Sequence, residues 1–239
     1  HFTFLHKHAD VLRKLGEDDF RIFNLGNPAL DKFVNCPRLD KGEVLPIKEF
    51  NIGDAPYLVL IQHPILAEAD EAGAQMQETL SAIHKSGYKC FINYPNSDPG
   101  NFAIIEKINE YTTLYPEQFS SFKNLDRLNY INLLRYASCL IGNSSSGIVE
   151  APSIGLPVIN IGLRQRGRFS AGNVIYTEYD SEEIYIAIIK SVTDIAYRDQ
   201  VKKINNPYGD GNSAGKISEV LSTIQIDKEL IHKNITYKI

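Results

Sequence analysis

The run Ile141-Gly142-Asn143-Ser144-Ser145-Ser146-Gly147-Ile148-Val149-Glu150-Ala151-Pro152-Ser153 combines residue types suited to holding an anion. An apolar stretch ends in Gly142 and three hydroxyls, and a helix-periodic segment carrying a glutamate follows at once. This order reads as strand, tight turn, helix N-terminus. The first peptide N–H groups of a helix have no internal partner, and the helix dipole places partial positive charge there. With Ser144, Ser145 and a closely approaching Gly147, the turn suits a phosphate or diphosphate. Glu150, about one helical turn past Ser146, is placed to accept hydrogen bonds from sugar hydroxyls. The plainer alternative is a serine-rich helix cap. Pro152 falls inside the expected helix, where proline costs roughly 3 kcal/mol. A local rule broken beside a polar cluster is a mark of functional sites.

Further polar residues follow other apolar runs. They are His63-Pro64, Tyr94-Pro95-Asn96, Asn124-Leu125-Asp126 and Gly162-Leu163-Arg164-Gln165-Arg166-Gly167-Arg168. In open parallel sheets ligands bind outside the carboxyl ends of the strands, where all of these fall. His63 reads as a donor to a diphosphate, or as a turn histidine capping the next helix. Arg164 reads as a phosphate ligand with paired donors; a solvated basic loop is the alternative. Tyr130 opens a helix near the same edge, either as a face for a nucleobase or as a half-buried helix aromatic. Asn96 forms turn chemistry with Asp98 and is also within reach of a ligand. His1, His6 and His8 lack metal-site spacing. No His-Glu-x-x-His, Cys-x-x-Cys or Gly-x-Ser-x-Gly string occurs, so zinc hydrolysis and elbow-serine chemistry have no support, and no metal is expected.

The elements that must position these residues alternate regularly. Strands are expected at 1–5, 21–23, 57–62, 89–94, 119–122, 138–141, 157–161 and 173–176. Helices are expected at 7–15, from 29, and at 67–85, 102–114, 128–136, 181–191 and 216–223. Leu58-Val59-Leu60-Ile61 is apolar throughout, as in a strand covered on both faces. The pattern predicts an α/β protein with a Rossmann-like parallel sheet. Residues 35–56, with Pro37, Gly42, Pro46, Gly53 and Pro56, read as a loose connector with room for short helical pieces.

Hydrophobic content of 43% and charged content of 23% over 239 residues suffice for a core without staples. A net charge of −4 argues against nucleic acid as the main ligand. No apolar run approaches the roughly 20 residues that cross a bilayer, so no membrane partner is expected. Cys36, Cys90 and Cys139 read as buried free thiols in a reducing compartment, the cytoplasm. His1-Phe2-Thr3-Phe4 looks like a strand in mid-fold, and upstream residues are expected.

The order and spacing of Gln62-His63-Pro64, Tyr94-Pro95-Asn96-Ser97-Asp98-Pro99-Gly100, the serine turn, Asn160-Ile161-Gly162-Leu163-Arg164-Gln165-Arg166-Gly167-Arg168 and Tyr208-Gly209-Asp210-Gly211 resemble the hydrolysing UDP-N-acetylglucosamine 2-epimerases. The resemblance covers residues 1 to about 225. It implies the C-terminal half of a two-domain GT-B architecture. The implied organisation is 1–24 as a remnant of the N-terminal Rossmann domain, 25–56 as inter-domain connector, 57–215 as UDP-binding domain, and 216–239 as crossing helix and tail. It further implies a UDP-sugar substrate held by His63, Ser144, Ser145, Glu150 and Arg164, a catalytic role for His1, no cofactor, and a homo-oligomer for the full-length protein. The family eliminates UDP to a glycal, then adds water to give a ManNAc-type sugar. A non-catalytic nucleotide-sugar module and half of a GT-B glycosyltransferase are the alternatives.

Overall fold

The computed structural model describes residues 1–233. In chain order the strands are β1 (Phe2–Thr3), β2 (Phe23–Asn24), β3 (Tyr57–Ile61), β4 (Lys89–Asn93), β5 (Phe119–Phe122), β6 (Cys139–Gly142), β7 (Val158–Ile161) and β8 (Val174–Thr177). The α-helices are α1 (His6–Lys14), α2 (Ala29–Val34), α3 (Leu45–Glu49), α4 (Ala72–Ser86), α5 (Asn101–Leu114), α6 (Arg127–Tyr136), α7 (Ser146–Val149), α8 (Ser181–Thr193), α9 (Ile195–Lys202), α10 (Ser213–Thr223) and α11 (Lys228–Ile231).

The chain divides into two compact units, residues 1–36 with 206–239, and residues 37–205. These divisions differ from the expected ones after residues 24, 56 and 215. In the first unit β1 and β2 pair in parallel, Phe2 opposite Phe23. The buried Arg21 guanidinium donates to the carbonyls of Leu230, Glu229 and His232. It thereby closes the C-terminal end of α11, where the last carbonyls have no partner within the helix.

The second unit carries one six-stranded, all-parallel sheet in the order β5-β4-β3-β6-β7-β8. Successive side chains of a strand point to opposite faces. Leu58 and Leu60 share a core cluster with Met76, Leu80, Ile104 and Ile184 of α4, α5 and α8. On the other face, the Tyr57 hydroxyl donates to the carbonyl of Leu133 in α6 at 2.6 Å, and Tyr57 meets Phe91 edge-on at 5.2 Å. Every residue of β3 is buried, which is why its sequence shows no polar alternation. Cys90 and Cys139 flank Leu58 on the neighbouring strands and are buried, whereas Cys36 is half-buried.

Several expectations are corrected. The expected connector, residues 35–56, holds short helical pieces, and much of it is packed rather than loose, with Val44, Ile47 and Ile52 buried. Asn129 Oδ1 accepts from the Leu45 N–H at 2.9 Å, and Asn132 Oδ1 from that of Leu39 at 3.1 Å. Side-chain amides of α6 thus satisfy a backbone whose composition reads mainly as turns. The expected helix from residue 67 begins as a 3₁₀ turn, Leu66–Glu71, kinked at Glu68. α9 follows α8 after the single residue Asp194, whose carboxylate caps α9 through the Tyr197 N–H at 2.9 Å. Among the described residues no helix is long and apolar enough to cross a membrane.

Candidate functional site

β3 and β6 lie side by side, while the chain leaves them toward opposite edges of the sheet. Such a switch of direction opens a crevice at the carboxyl ends of the two strands. Ile61 stands opposite Gly142 there, and the Asn143 N–H continues the ladder to the Ile61 carbonyl at 3.1 Å. Gly142 has φ +119°, and a Cβ on it would lie 2.1 Å from the Ile61 carbonyl oxygen. The close approach of the two strands therefore demands glycine.

His63 leaves β3 at this point. Its N–H donates to Asn143 Oδ1 at 2.7 Å, and its carbonyl accepts from Asn143 Nδ2 at 2.8 Å. The Asn96 backbone N–H donates to His63 Nδ1 at 3.1 Å. An amide N–H only donates, so Nδ1 is the acceptor and the neutral ring carries its proton on Nε2. Burial, then the nearby Arg164 charge, lowers the His63 pKa to about 4, against a smaller opposing pull from Asp98. Near pH 7 the ring is neutral and presents one donor, Nε2–H.

Arg164 follows β7 and donates from Nη1 to the Asn143 carbonyl at 3.1 Å. Gln165 Nε2 donates to the same oxygen at 3.0 Å. Among the described residues no other acceptor engages the Arg164 guanidinium, so its remaining donors are open. Arg166 is instead paired with Glu178, and Arg168 is exposed.

The serine turn differs from its expected form. α7 has four residues, and a separate 3₁₀ turn, Ala151–Ile154, carries Pro152 in its first turn. Proline breaks no ladder there, because that N–H has no helical partner anyway. A four-residue helix also brings little macrodipole. Anion-binding capacity rests on the turn itself. Ser144 Oγ accepts from the Ser146 N–H at 3.3 Å. Among the described residues the backbone N–H groups of Ser144 and Ser145 donate to no protein acceptor. Ser145 is exposed, and Ser144 is half-buried.

Beneath the turn, the Ser146 hydroxyl donates to Glu150 Oε2. Its one proton being used there, the Tyr130 hydroxyl is the donor to Ser146 Oγ, at 2.8 Å. Arg127 Nη2 lies 3.6 Å from Glu150 Oε1. The carboxylate keeps lone pairs beyond these contacts. Burial pushes the Tyr130 phenol pKa up. Tyr130 thus braces the serine turn through its hydroxyl, a role that its reading as a face for a nucleobase did not include.

Two further expectations change. Gly147 is buried and turned to the sheet: a Cβ there would lie 2.7 Å from Val158 Cγ1. Its N–H is engaged by the Ser144 carbonyl at 3.2 Å. Gly147 therefore lets α7 pack closely on β7 and has no donor left for a ligand. The Asn96 side chain is engaged in its own turn, Nδ2 to Asp98 Oδ2 at 2.5 Å, and the residue holds His63 through its backbone N–H instead.

His1 belongs to the first unit. Its Nε2 lies 3.1 Å from Glu17 Oε2, and its backbone nitrogen donates to the Arg21 carbonyl at 2.7 Å. Glu17, only 8% exposed, also pairs with Lys233. Asn143, Gln165 and Glu17 were not singled out from sequence. For Asn143 a signal was present, an amide placed directly after the glycine that ends β6. Among the described residues no cluster of three metal-binding side chains occurs.

A family model described as UDP-N-acetylglucosamine 2-epimerase matches residues 1–222. The UDP-N,N'-diacetylbacillosamine 2-epimerase (hydrolyzing) of Legionella pneumophila is 31% identical over 237 residues, 99% of this chain and 61% of that protein. The S. aureus MnaA–UDP co-structure superposes with a TM-score of 0.73 at 19% identity, covering 93% of this chain and 58% of that one. The UDP-GlcNAc 2-epimerase of Neisseria meningitidis, bound to UDP-GlcNAc, gives 0.72 at 18% identity, over 94% of this chain and 61% of that one. The fold is that of the GT-B type 2-epimerases. The chain spans about 61% of the length of its Legionella relative.

Proposed function

This chain belongs to the UDP-N-acetylglucosamine 2-epimerase family, and we propose that it holds the UDP part of a UDP-HexNAc for hydrolysing 2-epimerisation. The substrate is UDP-N-acetylglucosamine or a diacetamido analogue; the name of the Legionella relative favours the latter. In this reaction a proton leaves C2 and the C1–O bond to UDP breaks. The freed electrons form a C1=C2 double bond, and the C1–O electron pair departs on the diphosphate. Water then adds its hydroxyl to C1 and a proton to the opposite face of C2, giving the 2-epimeric free sugar.

The observation that carries this reading is the set of open donors at the switch point. They are the N–H groups of Ser144 and Ser145, the Nε2–H of His63 and the guanidinium of Arg164. Negative charge grows on the diphosphate as the C1–O bond breaks, and donors fixed in advance lower the barrier by meeting it. Glu150 takes the ribose hydroxyls, and Ser146 with Tyr130 holds it in place. His1, paired with Glu17, acts at the reacting sugar in the whole protein. No metal or cofactor enters the chemistry. The product serves nonulosonic acid synthesis in the cytoplasm, and the full-length protein is a homo-oligomer.

Calorimetric titration of the chain with UDP and with uridine tests the binding part. UDP must bind substantially more tightly than uridine; equal affinities defeat it. Incubating the full-length protein with each UDP-sugar and no acceptor tests the chemistry. Free 2-epimeric sugar with UDP is expected, whereas sugar release only on addition of an acceptor points to a glycosyltransferase.

A further inference from the structure

We infer that Asn143 is the positioning residue of this site, joining the turn that carries His63 to the loop that carries Arg164 so that both face one diphosphate. The inference rests on the UDP reading above.

All four polar groups of Asn143 are engaged, each on a segment that frames the site. Its N–H extends the β3–β6 ladder to Ile61 at 3.1 Å. Its Oδ1 and Nδ2 grip the N–H and carbonyl of His63 at 2.7 and 2.8 Å. Its carbonyl accepts from Arg164 and Gln165 at 3.1 and 3.0 Å. The residue is fully buried.

A two-point clamp on one residue's backbone fixes orientation as well as distance. With Asn96 holding Nδ1, the direction of the His63 Nε2–H is set at both ends of the residue. The opposite side is held through a single oxygen. A carbonyl with two lone pairs can take both donors, and Gln165, 2% exposed, occupies the second. No other side chain matches the clamp. Aspartate would set an acceptor against the His63 carbonyl, serine is too short to reach both groups, and glutamine is a methylene too long.

A residue that served folding alone would, on removal, weaken every part of the ligand equally. Positioning makes two different demands. The loss must fall on the diphosphate, and it must overlap with the loss caused by removing His63 itself.

Titrations of the full chain with UDP and with uridine decide this, on wild type, Asn143→Ala, His63→Ala and the double variant. Asn143→Ala is expected to weaken UDP about tenfold while leaving uridine unchanged, because two neutral hydrogen bonds to His63 are lost. The double variant should lose less than the product of the two single losses, the signature of residues acting through one another. Losses that multiply, or a parallel fall in uridine affinity, overturn the inference. Gln165→Leu keeps the test open if Asn143→Ala does not fold. It removes the brace on the Asn143 carbonyl and should weaken UDP while sparing uridine; unchanged UDP affinity overturns the inference. If wild type fails to prefer UDP over uridine, the diphosphate reading itself fails and this inference falls with it. Retained preference in the variants defeats the inference alone.

Discussion

The backbone N–H of Asn96 stands 3.1 Å from Nδ1 of His63, and this one contact decides which ring nitrogen keeps the proton. It joins the ends of two adjacent strands and turns a histidine into a fixed neutral donor. A cationic His63 would lose the Asn96 bond, since both ring nitrogens would then be donors.

Stability should therefore depend on pH through His63. Its folded pKa is about 4, below the ordinary 6.5. Between these values the unfolded chain binds a proton that the folded chain does not, so stability falls as pH drops through that window. Above pH 6.5 the contribution is fully present. Urea unfolding of wild type and His63→Asn between pH 7 and pH 4 should show the steeper decline in wild type. Identical slopes would mean that the histidine titrates normally.

Glu150→Gln should weaken UDP about tenfold or more, since a hydrogen bond to a charged group is worth roughly 1.5–3 kcal/mol. Folding should survive, because glutamine can still accept from Ser146. The 2′-deoxy form of UDP separates causes. A carboxylate that binds the ribose makes the variant and wild type more alike on the deoxy ligand. An unchanged Kd for UDP leaves Glu150 as a partner of Ser146 and Arg127 only.

Arg164→Ala and Ser145→Ala should differ in size. The serine change removes one neutral side-chain bond, about 1 kcal/mol, while the backbone N–H persists. The arginine change removes charge-assisted donors, roughly twice as strong each. Arg164→Ala should lower UDP affinity more, and leave uridine nearly untouched. A matched loss on both ligands would place Arg164 in the fold or near the base.

Glycine replacements should rank by what the new methyl group meets. At Gly142 it would meet the Ile61 backbone at 2.1 Å, in a backbone conformation that alanine resists, so Gly142→Ala should prevent normal folding. At Gly147 it would meet a Val158 methyl at 2.7 Å, a crowding cost of about 1–3 kcal/mol. At Gly42 nothing lies within 4 Å, and alanine should be harmless. Urea midpoints in that order support the packing described; a tolerated Gly142→Ala contradicts it.

Much of this was legible in the sequence because buried parallel strands announce themselves. Leu58-Val59-Leu60-Ile61 could only be covered on both faces, and the polar residues after such strands had to share an edge. That logic directed attention to His63 and Arg164 as candidates beside the serine turn. What one segment cannot reveal is its partner. Asn143 was passed over because its two contacts to His63 bridge 80 residues of sequence. Gly147 looked ligand-facing because only the packed α7 shows that its bare side is toward Val158. Residues 35–56 looked loose because the amides that satisfy the N–H groups of Leu39 and Leu45 come from Asn132 and Asn129, far along the chain.

The pairing of β3 with β6 also bears on the order in which the molecule assembles. β4 and β5 come between them in sequence, so the central strands meet only after a loop of about 80 residues has closed. Such non-local contacts form late and slowly during folding. The crevice between these strands has no counterpart in a half-folded chain. A nucleotide bound there acts on the finished sheet alone, so its whole binding free energy goes to the native state.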